Sequence, residues 1–386
     1  MTLSVPEPRV VRVPPIELRE IDVNVTNLCN LTCVYCSYAS TPSRDEPELD
    51  RAVIDALLDD AKSIGNKVVH FSGGEPVIRK DMPDLIAHAS RNGFKMRMHS
   101  NGALLTKPKL EQLWAAGLRQ VLVSLDGPAE QHDWHRQRPG LWDKTIAGIR
   151  NAVSLGFNVR VNSVATVRNV DTIAGLMPLV MELGAATFSV FYMIPVGRGA
   201  QNPDLMVPPD RWRAFIDEMH EASARYRPSC EVTVEKVFSW QNEWDEDGLG
   251  GGRGDSCLGF LDKCNYVNVL ADGTVWPCVC MIDVAPPLGN VYDRPLSEIL
   301  HDPAGWEFYY GLRGVNSTCA ACSCVDHCRG GSKALSQIGA GSWDALDPRC
   351  SGDPHAQGFI PICFMQRENI VTGSRSGFAE RVPGDG

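Results

Sequence analysis

The stretch VNVTNLCNLTCVYCSYAS, residues 23–40, begins as a β-branched run and then delivers Cys29, Cys33 and Cys36. Residues 21–25 read as a strand, so the three cysteines lie on the loop that leaves its C-terminal end. At this cysteine content the x3, x2 spacing arises by chance only about 0.02 times per chain. Three thiolates leave one iron of a four-iron cubane without a protein ligand, and an open metal position is where a substrate binds. A structural zinc site closes all four positions. Zinc completed by a distant ligand is the alternative that spacing alone leaves open.

Downstream, strands and helices alternate. Residues 50–64 place Val53, Ile54, Leu57, Leu58, Ala61 and Ile64 on one helical face. Residues 68–72 read as a short strand stopped by Gly73-Gly74. Helices follow at 81–91, 107–116, 141–155 and 170–183, with strands at 95–99, 120–125, 158–166 and 187–193. This alternation implies an α/β fold with a parallel sheet. Six units are too few for an eight-fold barrel, so the expectation is an open, partial (β/α)6 barrel. The polar and Gly-rich clusters all follow strands: Cys29 to Cys36, Gly73 to Pro76, Ser100 to Gly102, and Ser124 to Asp126. Barrels build their ligand sites on that rim.

The 386 residues contain 14 cysteines and carry a net charge of −10. No apolar run is long enough to span a membrane, and residues 1–20 lack the apolar core of a secretory signal. A cytoplasmic location is therefore expected, where clustered cysteines bind metal rather than pair as disulfides. The acidic balance argues against a nucleic-acid partner. The expected divisions are an N-terminal extension at 1–18, a barrel domain at 19–228, a cysteine-rich domain at 229–366 and a mobile tail at 367–386.

CNLTCVYC at 29–36, GGEP at 73–76, SNG at 100–102 and SLDGPAEQHDWHRQRPG at 124–140 together resemble the radical SAM superfamily. The resemblance covers about residues 20–350. It implies that the open iron is chelated by the methionyl amine and carboxylate of S-adenosylmethionine. An electron from the reduced 4Fe–4S cluster then breaks the S–C5′ bond, and the 5′-deoxyadenosyl radical abstracts hydrogen from an unactivated C–H. By motif position Tyr35 is similar to the adenine contact, and Gly73, Gly74 and Glu75 to the methionine-binding turn. Ser124 and Arg136 resemble polar cofactor contacts, and Asn101, Asn162 and Met193 lie where the family lines the pocket. Each taken alone also reads as a turn or surface residue.

Cys257, Cys264 and Cys278, then Cys319, Cys322, Cys328 and Cys350, resemble the SPASM extension with two auxiliary 4Fe–4S clusters, its Gly-x4-Cys landmark standing at Gly273 to Cys278. The resemblance assigns Cys319, Cys322, Cys328 and Cys350 to one cluster, for which zinc is the alternative, and Cys257, Cys264 and Cys278 to the other. The family pattern continues Cys-x3-Cys after Cys328, but here Ser332 occupies the last position. Cys280 and Cys324 are the spare ligands, and Cys280 could instead donate a hydrogen atom to a substrate radical or be an inert buried thiol. Cys230 and Cys363 fit no spacing and read as core residues. His132-Asp133 resembles a substrate-side loop, with solvated polar residues as the alternative, and Trp240, Trp244 and residues 245–247 read as a solvated loop.

The expected activity is hydrogen abstraction from a ribosomal peptide or secondary metabolite, leading to oxidation, cross-linking or epimerisation. The alternatives are a dehydrogenase or epimerase of an aminoglycoside-type sugar, action on a tetrapyrrole as in other relatives, and, from another class, a non-catalytic iron–sulfur electron-transfer protein. Val279 stands where sulfatase-maturating relatives carry an acidic base, which speaks against that reaction. The implied partners are a one-electron reductant such as flavodoxin or ferredoxin. With only 28 residues before Cys29, a separate peptide carrier protein is expected for a leader-bearing substrate.

Overall fold

Ile21, Val23 and Val25 alternate with Asp22, Asn24 and Thr26, and the same two-residue rhythm organises the whole sheet. The computed structural model describes residues 12–226, 231–234, 259–314, 317–322 and 330–350. The first half runs β1 (Ile16–Thr26), α1 (Arg51–Ser63), β2 (Val68–Gly73), α2 (Met82–Arg91), β3 (Lys95–Ser100), α3 (Lys107–Ala116) and β4 (Gln120–Ser124). It continues through α4 (Ala129–Arg136), α5 (Leu141–Ser154), β5 (Asn158–Ala165), α6 (Met177–Glu182), β6 (Thr187–Tyr192) and α7 (Pro209–Tyr226). Then come β7 (Glu231–Val234), β8 (Cys264–Val269), β9 (Thr274–Trp276), β10 (Gly289–Asn290), α8 (Leu296–His301) and α9 (Pro303–Gly311).

The sheet order is β10-β9-β8-β1-β2-β3-β4-β5-β6-β7, with β1 to β6 all parallel as expected of a partial barrel. Leu57 and Leu58 of α1, Ile86 of α2 and Ile149 of α5 share one core with Val23, Phe71, Met98, Val123 and Val161 of the strands. That core covers the outer face. The opposite phase is polar: Asp22 and Asn24 on β1, His70 and Ser72 on β2, Arg97 and His99 on β3, Arg160 and Asn162 on β5. A parallel sheet packed on both faces reads as continuous apolar runs, and a filled barrel interior is made of Val, Ile and Leu. This lumen is lined largely by polar groups instead, with Leu122 of β4 an apolar exception.

Several elements depart from expectation. β1 starts at Ile16 because β8 pairs along its other side, Ile16 with Cys264 and Val23 with Val269, so the cysteine-rich segment continues the sheet. The boundary expected at 228/229 and the tail at 367–386 lie outside the described residues. The helix expected at 170–183 is reduced to a turn at Ala174–Leu176 followed by α6. Asn169 explains this: its Oδ1 accepts from Thr166 N at 2.7 Å, and its Nδ2 donates to Asp126 O at 2.7 Å and Val164 O at 2.9 Å. Such a side chain offers the backbone a non-helical alternative. Helix α4 escapes apolar periodicity because its buried residues are His132, His135 and Arg136. The cysteine-rich segment also contains α8, α9 and a helix at Lys333–Ala340.

Candidate active site

The cysteine loop leaves β1 and is held by backbone bonds from Cys29 N to Thr41 O at 2.8 Å and from Val34 N to His135 O at 2.9 Å. Arg198, which the sequence did not single out, clamps it. Its backbone N donates to Cys36 O at 2.9 Å, and its guanidinium donates to Cys33 O at 2.9 Å, Ala39 O at 2.8 Å and Ser40 O at 2.7 Å. Gly197 makes the approach possible: its φ is +56°, and a Cβ there would meet Ser37 O at 2.3 Å.

Cys29 and Cys33 are buried with Leu31 and Leu141, and Cys36 packs against that group. Burial, reinforced by the Glu75 carboxylate, pushes the Cys29 thiol up to about 12. Burial also raises Cys33, against the pull of Arg136. Thiols so disposed give up their protons to a metal rather than to water. Three soft sulfur donors gathered on one loop are the donor set of an iron–sulfur cluster.

The turn after β2 docks onto this loop. Gly74 N donates to Thr26 O at 2.7 Å, and Glu75 N to Leu28 O at 3.0 Å. Gly73 has φ +129°, open to glycine alone. The Glu75 carboxylate accepts from Ser100 Oγ at 2.9 Å and Asn101 N at 2.8 Å, and burial raises it to about 7. Asn101 Nδ2 then reaches Asn30 Oδ1 at 2.8 Å. Gly73, Gly74, Glu75 and Asn101 thus meet the cysteine loop on one rim.

Ser124 ends β4 in register with Asn162 on β5, while Met193 is wholly buried just past β6. Asn24 Oδ1 and Asn162 Oδ1 are buried without a hydrogen-bond partner among the described residues. Buried polar atoms are almost always paired, so two open acceptors beside the rim fit a polar cofactor such as S-adenosylmethionine.

Tyr35 and Arg136 converge on Asp126, a residue quoted in the motif but given no role. Tyr35 Oη donates to Asp126 Oδ2 at 2.5 Å, and Arg136 Nε donates to the same oxygen at 2.7 Å. Arg136 Nη1 also points at Cys33 Sγ, 3.7 Å away. His132 is a correction. It is buried in α4 rather than on a substrate loop, taking Asp126 N on Nδ1 at 3.2 Å, and Asp133 accepts from Gly140 N and Trp142 N at the start of α5. Both brace the rim.

Among the C-terminal cysteines, Cys264 opens β8 at the end of the sheet remote from the Cys29 loop, and burial pushes it up to about 12. Cys278 follows β9, and Cys280 lies buried in the turn at Val279–Met281. Ser332 is buried as the cap of the Lys333–Ala340 helix, where its Oγ accepts from Leu335 N at 3.3 Å and its N donates to Asp347 Oδ2 at 2.7 Å. That helix packs on the Cys280 turn. Cys319 is buried, and Cys322 and Cys350 are half-buried. Cys257, Cys324, Cys328, Cys230, Cys363, Trp240, Trp244 and residues 245–247 lie outside the described residues.

Comparison with known proteins agrees with this rim. The sequence pattern of the Radical SAM superfamily matches residues 23–177, and that of the SPASM iron–sulfur cluster-binding domain matches residues 257–324. The chain is 30% identical to the AdoMet-dependent heme synthase of Methanosarcina barkeri, over 79% of this chain and 90% of that protein. It is 30% identical to the PqqA peptide cyclase of Gluconobacter oxydans, over 89% of this chain and 92% of that protein. The crystal structure of Streptococcus suis SuiB bound to its precursor peptide SuiA shares the fold, with TM-score 0.68 at 18% identity over 87% of this chain and 76% of that one. The cysteine loop, the Gly-Gly-Glu turn and the paired family matches make this chain a radical SAM enzyme of the SPASM subgroup, with iron–sulfur clusters and S-adenosylmethionine as its cofactors.

Proposed function

We propose that the chain abstracts a hydrogen atom from a peptide and that the product is an oxidised, cross-linked or epimerised residue. The observation that carries the chemistry is the meeting of Cys29, Cys33 and Cys36 with the Gly73–Glu75 turn on one rim, above a polar lumen. When bound there, the cluster and S-adenosylmethionine supply a 5′-deoxyadenosyl radical able to attack an unactivated C–H. Tyr35, Gly73, Gly74, Glu75, Asn101, Ser124, Asn162, Arg136 and Met193 would hold the cofactor. Arg198 fixes the loop. The peptide assignment is supported by the PqqA peptide cyclase relative, which spans nearly the same length. The auxiliary set is proposed as Cys319, Cys322, Cys328 and Cys350, with Cys257, Cys264 and Cys278 as the second. Cys280 fills the place Ser332 leaves, supported by the packing of the Ser332-capped helix on the Cys280 turn. Flavodoxin or ferredoxin would supply the electron in the cytoplasm, and a carrier protein would present the peptide.

The test is anaerobic. Reduced holoenzyme with S-adenosylmethionine is expected to release 5′-deoxyadenosine, and Cys33→Ala to abolish it. Short peptides encoded beside the gene should accelerate release and return deuterium from the attacked carbon to the nucleoside. Acceleration by an aminoglycoside-type sugar instead would move the assignment to a sugar dehydrogenase or epimerase. Complete absence of 5′-deoxyadenosine with all substrates would leave an electron-transfer protein. In the same assay Cys280→Ala separates two roles, because lost iron marks a ligand and a switched product marks a hydrogen donor.

A further inference from the structure

The strand alternation that builds the outer core also gathers three chemically related side chains inside the barrel, beneath the cysteine loop. Tyr38 of that loop bonds Ser72 and lies close enough to Asp22 to feel its charge. Asp22 on β1 stands in register with His70 on β2, and His99 lies on the same face of β3, next but one to Arg97, the register partner of His70. One donor atom from each of Asp22, His70 and His99 lies within 4.8 Å of the other two. Around a zinc-sized ion with bonds of about 2.0 Å, donor atoms stand roughly 3 Å apart, so small rotations of these side chains close the shell. Asp22 is four residues before the end of β1, His70 three before the end of β2 and His99 one before the end of β3, so the group slants up the lumen towards the rim.

We propose that Asp22, His70 and His99 form a divalent-cation site in the barrel lumen, taking a first-row ion of the zinc or ferrous type through two imidazoles and a carboxylate. Two histidines and one carboxylate with further positions open is an established donor set for both ions.

The surroundings are those of a built site. His70 Nε2 lies 2.8 Å from Glu20 Oε1. In the tautomer that donates Nε2–H to this carboxylate, as a metal-binding histidine commonly does, Nδ1 is the ring atom left for the ion. Asp22 accepts a short hydrogen bond from Ser72. On the neighbouring β8, Asn268 is the register partner of Asp22, and its buried Nδ2 has no partner among the described residues. This unpaired donor flanks the group, and ion-bound water would satisfy it.

Two cations share the lumen and shape what the ion would carry. Arg97 lies 3.0 Å from His70 Nε2 but is offset by Glu20 at 3.7 Å and bonded to Gln120 at 2.8 Å. Arg160 sits near enough to His99 to act on it electrostatically. With Arg160 beside it, the open coordination position favours an anionic oxygen, a carboxylate or a deprotonated hydroxyl. Resting on the proposed hydrogen abstraction at the rim, that oxygen belongs to the substrate, which the ion would hold beneath the reacting C–H.

The probe is the metal alone, added to anaerobic holoenzyme with its clusters oxidised. Zinc is expected to bind at one equivalent beyond the cluster iron. X-ray absorption at the zinc edge should show only nitrogen and oxygen neighbours near 2.0 Å, with imidazole scattering. His99→Gln should weaken binding at least 100-fold, and Asp22→Asn should do the same. Cluster iron content and the circular dichroism spectrum, read on the same samples, show that each variant is folded. Zinc–sulfur scattering near 2.3 Å, no binding beyond the clusters, or unchanged affinity in folded His99→Gln would each overturn the site. Release of 5′-deoxyadenosine is scored separately, so a failed radical reading shows itself even where zinc binds.

Discussion

Arg136 and Asp126 form a buried ion pair, Nε to Oδ2 at 2.7 Å, that ties the last turn of α4 to the end of β4 while the same guanidinium reaches Cys33. Tyr35 shares the carboxylate, so one anion orders the cysteine loop, the rim helix and the strand end. Removing one partner of such a pair leaves an uncompensated buried charge, a cost of about 3–5 kcal/mol. Asp126→Asn is expected to show that loss in chemical denaturation. Asp126→Asn with Arg136→Met should cost less than the two singles together. Arg136→Met also removes a donor from the Cys33 sulfur, the proposed cluster ligand. Since such hydrogen bonds help set cluster potentials, the midpoint in an EPR-monitored titration should move to more negative values.

Arg198 gives the second prediction. Its three guanidinium bonds to Cys33 O, Ala39 O and Ser40 O are charge-assisted, each worth about 1.5–3 kcal/mol in favourable settings. The residue is half-buried, so solvent screening reduces the total to about 3 kcal/mol. Arg198→Ala should leave the loop less ordered and speed iron loss to a chelator roughly 100-fold. Arg198→Lys, which can serve one carbonyl well, should fall between. Equal iron-loss rates in wild type and Arg198→Ala would remove the clamp from the account.

Gly74 gives the third. A Cβ there would stand 2.3 Å from Leu28 O and 2.8 Å from Asn27 O, both backbone atoms with nowhere to yield. Gly74→Ala must therefore push the turn off the cysteine loop and stretch the Glu75 N to Leu28 O bond. S-adenosylmethionine affinity, measured by calorimetry on iron-replete protein, is expected to fall at least roughly tenfold, or 1.4 kcal/mol.

The sequence made the outer half of the architecture legible because helix and strand periods act locally. Leu57, Phe71 and Val123 announce their faces without reference to anything distant. The cysteine loop and the Gly73–Glu75 turn were legible for a different reason, since their residue types suit little else at that spacing. What stayed hidden depends on pairing across the chain. β8 joins β1 from more than 200 residues away, and nothing in residues 264–269 names its partner. Helix α4 presents a polar buried face, His132, His135 and Arg136, which apolar periodicity cannot see. Arg198 looked like any loop arginine until the fold laid it across three carbonyls. The lumen residues did leave a trace, because Asp22 and Asn24, His70 and Ser72, and Arg97 and His99 each recur at period two.

Glu75 supplies a pH dependence whose sign can be worked out. Its carboxyl is fully buried, and desolvation raises it to about 7 from an ordinary 4.5, despite bonds from Asn101 N and Ser100. Between those values the folded chain keeps a proton that the unfolded chain has lost. The stabilisation is complete below pH 4.5 and disappears as pH rises through 7. Between pH 6 and pH 8 the loss from this one group is about 1.3 kcal/mol. Glu75→Gln cannot titrate, keeps a carbonyl for Asn101 N, and should lack this component. Denaturation midpoints of wild type and Glu75→Gln, taken at pH 6 and pH 8 without added S-adenosylmethionine, should therefore diverge in the variant's favour at the higher pH. The reason is that groups which do not interact with Glu75 titrate alike in the two proteins and cancel in the difference. Cys29, which burial and Glu75 raise to about 12, lies well above this pH range. A gap that stays constant across the two pH values would mean that Glu75 is ionised throughout, with its charge compensated by the loop it pins.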